Sequence, residues 1–125
     1  MPLRFRKLWT LLGVGFVLLV VYLSLMPDPG RLVTPATMNF GHVVAYGWLM
    51  LWFAQIHRAA AIRWRFALAF CLLGVALEYV QGMTGYRTFD YYDMLNDAVG
   101  VALGALLART PLQNGLLTLE ARLSA

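Results

Sequence analysis

His42, Glu78, Asp93 and Asp97 are ionisable side chains set inside apolar segments, and Arg87 lies in a polar stretch between two of those segments. A charge at membrane depth is costly, so such residues face partners and commonly serve a function. Asp93 and Asp97 stand i,i+4, on one helical face and about 6 Å apart along the axis. Carboxyl groups crowded together cannot all ionise, so a cluster of these groups would keep at least one proton. That suits a cationic ligand, a proton relay or a metal. One His with two or three carboxylates is a hard-metal donor set. Yet the cluster has one His, no Cys and no dense ligand motif, so no metal and no cofactor are expected. The plain alternative is a polar network that only pins helices, at about 0.6 kcal/mol per interhelical hydrogen bond.

The elements that would carry these residues are apolar. The chain has 125 residues, 61% hydrophobic and 13% charged, with a mean hydropathy of +0.67. Soluble domains carry about 25% charged residues, so this chain belongs in lipid and fits one domain, 1–125. Cys71 is single and lies in an apolar run, which excludes a disulfide framework. Four apolar runs stand out: Leu8 to Met26, Phe40 to Ile56, Trp64 to Gln81 and Tyr91 to Ala108, followed by a tail over 109–125. Each is roughly 17–19 residues, enough for a helix to cross a hydrocarbon core of about 30 Å. Backbone groups in lipid pair within their own segment, so the expected fold is an all-α membrane protein, a bundle of four transmembrane helices. The first run has a basic start but no Ala-x-Ala cleavage site, and reads as a retained anchor.

Charge sets the direction. Arg4, Arg6 and Lys7, then Arg58, Arg63 and Arg65, then Arg109 and Arg122 fall on one side; Arg31 and Arg87 fall on the other. Eight against two, alternating over four runs, predicts both termini in the cytoplasm. It also assigns the net charge of +4 to anionic lipid rather than nucleic acid. Trp9 and Trp64 mark the inner interface, and Tyr22, Tyr86, Tyr91 and Tyr92 the outer one. In the tail, Leu112, Leu116, Leu119 and Leu123 have helical spacing; a surface-lying amphipathic helix and a frayed end both remain open.

This topology brings every polar group of the spans to the outer end. His42 opens the second span and shares a face with Tyr46. Glu78 and Gln81 close the third. Asp93, Asn96 and Asp97 open the fourth, and their face continues into Gly100 and Gly104, a small-xxx-small pair suited to close helix packing. His42, Tyr46, Glu78, Gln81, Arg87, Asp93, Asn96 and Asp97 are therefore the candidate ligand-binding residues. His57 starts a basic loop and reads as a solvated flank.

The order His42-Val-Val-Ala-Tyr46, Glu78-Tyr-Val-Gln81, Arg87, then Asp93-Met-Leu-Asn-Asp97-Ala-Val-Gly100 with Gly104 resembles the VanZ-like family over roughly residues 38 to 108. The resemblance implies a small bacterial membrane protein, multi-pass in the inner membrane, with His42, Glu78, Gln81, Arg87 and Asp93 at motif positions. The family's founding member is associated with resistance to teicoplanin. Met38 and Asn39 stand where the family often has Asp-Lys, and Asp97 where it usually has Asn, which makes this cluster more acidic. The resemblance implies no settled catalysis.

Three function classes follow. The first is an envelope protein whose outer pocket recognises a lipid or cell-wall headgroup, or a lipoglycopeptide, and gives glycopeptide tolerance. The second is a small proton-coupled transporter; the first span has no charge, unlike typical four-helix exporters. The third is an intramembrane enzyme using Glu78 or Asp93 as general base with His42. No phosphate loop, Ser-His-Asp order or redox cysteine pair supports catalysis.

Overall fold

Proline at the first turn of a helix loses no hydrogen bond, because that N–H has no intrahelical partner, and its φ is already helical. Pro35 takes this place in the computed structural model of the chain, which describes residues 3–26, 35–85 and 90–124, with the backbone alone for 35–38. The helices are α1 (Arg6–Leu25), α2 (Pro35–Ile56), α3 (Ala60–Met83), α4 (Tyr91–Leu107) and, after a 3-10 turn at Pro111–Asn114, α5 (Gly115–Leu123). The fold is all-helical, with no strand among the described residues.

Two boundaries differ from the apolar runs. α2 starts before Phe40, so Asn39 is helical rather than in a loop, and α3 starts before Trp64. An apolar window misses such starts because polar residues and alanines before a run continue a helix without being greasy. Only His57, Arg58 and Ala59 separate α2 from α3. α1 and α3 are long and apolar enough to cross a membrane.

α2 is the central helix and packs on α1, α3 and α4. Its apolar residues run round the whole circumference; Tyr46, Leu49, Met50, Phe53 and Ala54 are buried, while Phe40, Val44 and Trp48 stay exposed. Its tightest partner is α4. A Cβ on Gly100 would collide with the Val43 backbone, and one on Gly104 would stand 2.5 Å from the Gly47 carbonyl oxygen. The small-residue face of α4 is thus the α2–α4 seam. Trp9, Phe16 and Trp52 fill the α1–α2 contact, edge to face. Trp9 is buried, not an exposed interface anchor, while Trp64 is 76% exposed.

At one end of the molecule the chain start, the α2–α3 turn and the tail meet. Glu120 on α5 accepts the Arg4 and Phe5 N–H groups at 2.7 Å each and the Trp9 indole N–H at 2.6 Å. Gln55 accepts the Leu116 N–H at 2.9 Å. The tail is therefore a docked helix with Leu116 inside, while Leu112, Leu119 and Leu123 stay exposed. Arg63 donates to the carbonyls of Ala54, His57 and Ala108, the open C-terminal ends of α2 and α4. A cation there satisfies orphan carbonyls and opposes the helix dipole.

Candidate functional site: a carboxyl–imidazole chain on three helices

At the opposite end, α2, α3 and α4 each present one part of the candidate site. Nδ1 of His42 on α2 lies 2.7 Å from Oδ1 of Asp97 on α4, and Nε2 lies 3.8 Å from Oδ1 of Asp93. An ionised carboxylate only accepts, so with Asp97 charged, Nδ1 carries the proton. One imidazole thus bridges both carboxylates of the i,i+4 pair. Asp93 in turn lies close to the Glu78 carboxyl of α3. The result is a chain, Asp97–His42–Asp93–Glu78, running across three helices.

Its two ends are buried and its middle is more open, with Glu78 only 2% exposed. The Asp97 side chain is 3% exposed, while those of Asp93 and His42 are 13% and 15% exposed. Asp97 fits because α3 has a glycine opposite. A Cβ on Gly74 would stand 2.7 Å from Oδ2 of Asp97 and 3.0 Å from its Cβ. The start of α4 is built into the site too. Asp90 caps the helix by accepting the Tyr92 N–H at 2.9 Å, and its own N–H donates to Glu78. Glu78 thus anchors the entry of α4 as well as touching Asp93.

The other predicted residues fall as follows. Tyr46 is buried on α2, with its phenol near Asp97 and Glu78. Asn96 donates to the Asn39 side chain at 3.1 Å, tying α4 to α2 at the exposed lip. Gln81 turns elsewhere; its amide donates to the Ser24 carbonyl at 2.6 Å and joins α3 to the end of α1. Arg87 lies outside the described residues. Among the described residues, no group of three or more His, Cys, Asp or Glu is arranged to hold a metal ion.

The VanZ/LLP1 family profile matches residues 3–113, from the start of α1 to the 3-10 turn. The chain belongs to the VanZ/LLP1 family. No curated protein and no solved structure shows a significant match to it. The match takes in α1 as well as the stretch over 38–108 that carries the VanZ-like motifs. Three contributors to this VanZ-like site were not legible as such. Asn39 is one; it has i,i+3 spacing to His42 but precedes the apolar run that opens at Phe40. Gly74 is another; it shares a face with Glu78, but only the fold shows that it faces Asp97. Asp90 has the sequence signal of a helix cap, Asp-Tyr-Tyr-Asp before an apolar run.

Proposed function

We propose that the chain is a four-span inner-membrane protein of a bacterial envelope, with both termini cytoplasmic, whose outward-facing polar site recognises a headgroup rich in hydrogen-bond donors. Two features support the membrane reading. Large apolar side chains are exposed along every long helix, among them Leu11 at 69%, Leu18 at 63%, Phe40 at 68% and Leu68 at 62%. Soluble monomers rarely expose apolar patches on that scale. The end where the chain start, the α2–α3 turn and the tail meet carries eight of the ten Lys and Arg residues, and such an excess sits in the cytoplasm. The carboxyl chain then faces outward.

The observation that carries the binding reading is the open middle of Asp97–His42–Asp93–Glu78: His42 and Asp93 reach the surface at 15% and 13% exposure, while Asp97 and Glu78 are buried. The Asp93 carboxyl at the mouth is an acceptor for an amine or hydroxyl headgroup, and behind it stands the His42–Asp97 pair. A lipid headgroup, a cell-wall precursor or a lipoglycopeptide supplies such donors at the outer surface, and glycopeptide tolerance would follow from capturing one. The transporter reading draws on the same chain as a proton relay. It is the weaker one, because below Asp97 the α2–α4 seam closes backbone to backbone at Gly100 and Gly104. The enzyme reading has no nucleophile signature in the sequence to support it.

Two measurements test the proposal. Reporter fusions at Arg63 and at the C-terminus should both report cytoplasm; an outside signal at either one ends the four-span reading. Glu78→Gln and Asp93→Asn keep shape and most hydrogen bonding but remove charge. Both should lose the wild-type effect on lipoglycopeptide susceptibility or envelope stress while remaining folded in detergent. Wild-type activity in both variants would leave only a structural polar network.

A further inference from the structure

The structure shows a cleft at the basic end, far from the carboxyl chain. Its volume is about 270 Å3, and Leu3, Arg6, Ile56, His57, Arg58 and Ile62 are among the residues lining it. Ile56 is buried and Leu3, His57 and Ile62 are half-buried, whereas Arg6 and Arg58 are exposed. The cleft therefore has a mainly apolar interior, in which the buried Gln55 is the polar exception, and a cationic rim. Both guanidinium groups are held by neutral acceptors. Nη2 of Arg6 donates to Nδ1 of His57 at 2.9 Å. Arg58 donates to the Gln113 carbonyl at 3.3 Å and to the Asn114 side chain at 2.5 Å. Among the described residues, no carboxylate pairs with either. Burial and the charge of Arg6 hold the His57 pKa below its ordinary value, which keeps His57 neutral as the acceptor. Two oriented, charge-uncompensated guanidiniums match the oxygens of a phosphate. Exposed Trp64 places the cleft near the membrane interface.

We propose that this cleft binds the phosphate of an anionic phospholipid between Arg6 and Arg58, with the first carbons of the lipid against Leu3, Ile56 and Ile62. Its size is at the small end for ligand clefts and suits a phosphodiester rather than a whole lipid. Basic pockets between helices on the cytoplasmic side are suited to anionic headgroups. The proposal rests on the membrane reading above and is independent of what the outer site binds.

The test uses full-length protein in detergent, offered phosphatidylglycerol and phosphatidylcholine in equal amounts, with bound lipid read by native mass spectrometry. Phosphatidylglycerol adducts should dominate. Arg6→Gln, which removes one side-chain hydrogen bond, to His57, should reduce them roughly fivefold, and Arg6→Gln with Arg58→Gln roughly 25-fold. Arg58 also steadies the tail, so Arg6→Gln alone decides the matter if the double variant unfolds. Arg65→Gln with Arg109→Gln, charge-matched and outside the cleft, should change the adducts less than twofold. Equal loss in that control would mean diffuse surface attraction and overturn the site. Unchanged adducts in Arg6→Gln would overturn it as well. Displacement of the lipid by millimolar inorganic phosphate would identify a free-phosphate site and overturn the lipid assignment. Lipid selection in detergent does not depend on sidedness, so a failed topology test and a failed lipid test remain separable.

Discussion

The two polar ends of this molecule use their side chains differently. At the basic end, Arg63, Glu120 and Gln55 bond mainly to backbone groups: the carbonyls that end α2 and α4, and the N–H groups that start α1 and α5. At the carboxyl end, His42 and Asp97 bond to each other with Asp93 beside them, and only Glu78 also takes a backbone N–H, that of Asp90. Helix termini leave orphan backbone groups, and a side chain that satisfies them has a complete structural reason to be there. The His42–Asp97 pair satisfies no backbone group, and an apolar pair of like volume would pack there at lower cost. What the comparison teaches is where to look for function: at polar side chains that the backbone does not need.

The seam that both ends share should be the most sensitive place. Gly100→Leu would force α4 off the Val43–Gly47 backbone and should cost about 3 kcal/mol. Detergent melting would show it, and loss of both the outer-site phenotype and the docked tail would accompany it. If Gly100→Leu melts like wild type, the seam is not as closed as drawn. Arg63→Ala should come next. It strips the carbonyl ends of α2 and α4 and should cost about 2 kcal/mol, while the outer-site phenotype persists at permissive temperature. A variant that stays stable but loses the phenotype would reverse the assignment of roles.

Gly74→Ala sharpens the other side of the comparison. Its methyl group would crowd Asp97 rather than backbone, so melting should shift by about 1 kcal/mol or less. The phenotype should fall because the His42–Asp97 pair is displaced; retention of full activity would show that Asp97 need not sit there. The smallest effect is a pH effect on the tail. Burial alone would raise the Glu120 pKa, but the Phe5 and Arg4 N–H groups, the Trp9 indole and the Arg4 charge hold it below its ordinary value. A depressed carboxyl pKa stabilises the folded state above the ordinary value of 4.5 and loses that contribution as pH falls through the folded value. Protection of α5 amides against hydrogen exchange, relative to the intrinsic rate at each pH, should therefore fall on acidification below that range, and Glu120→Gln should be poorly protected already at neutral pH. Equal exchange in wild type and variant would mean that Leu116 alone holds the tail.

Much was legible before any coordinates. Apolar runs and the Lys/Arg alternation carried the helices, their order and the shared end of His42, Glu78, Asp93 and Asp97, because hydropathy and helical period are local properties. The i,i+4 Asp pair and the Gly100–Gly104 stripe fell on one face for the same reason. Which neighbour that face meets is not local. That His42 spans both aspartates, that Gly74 makes room for Asp97, that Gln81 turns to Ser24, and that Glu120 caps α1 depend on contacts between residues far apart in the chain, such as 55 for His42 and Asp97 and 116 for Arg4 and Glu120. Such contacts are set by how whole helices pack, so only the tertiary structure decided them. The sequence determined which groups reach each end, and the packing of α2 against α4 decided which of them touch.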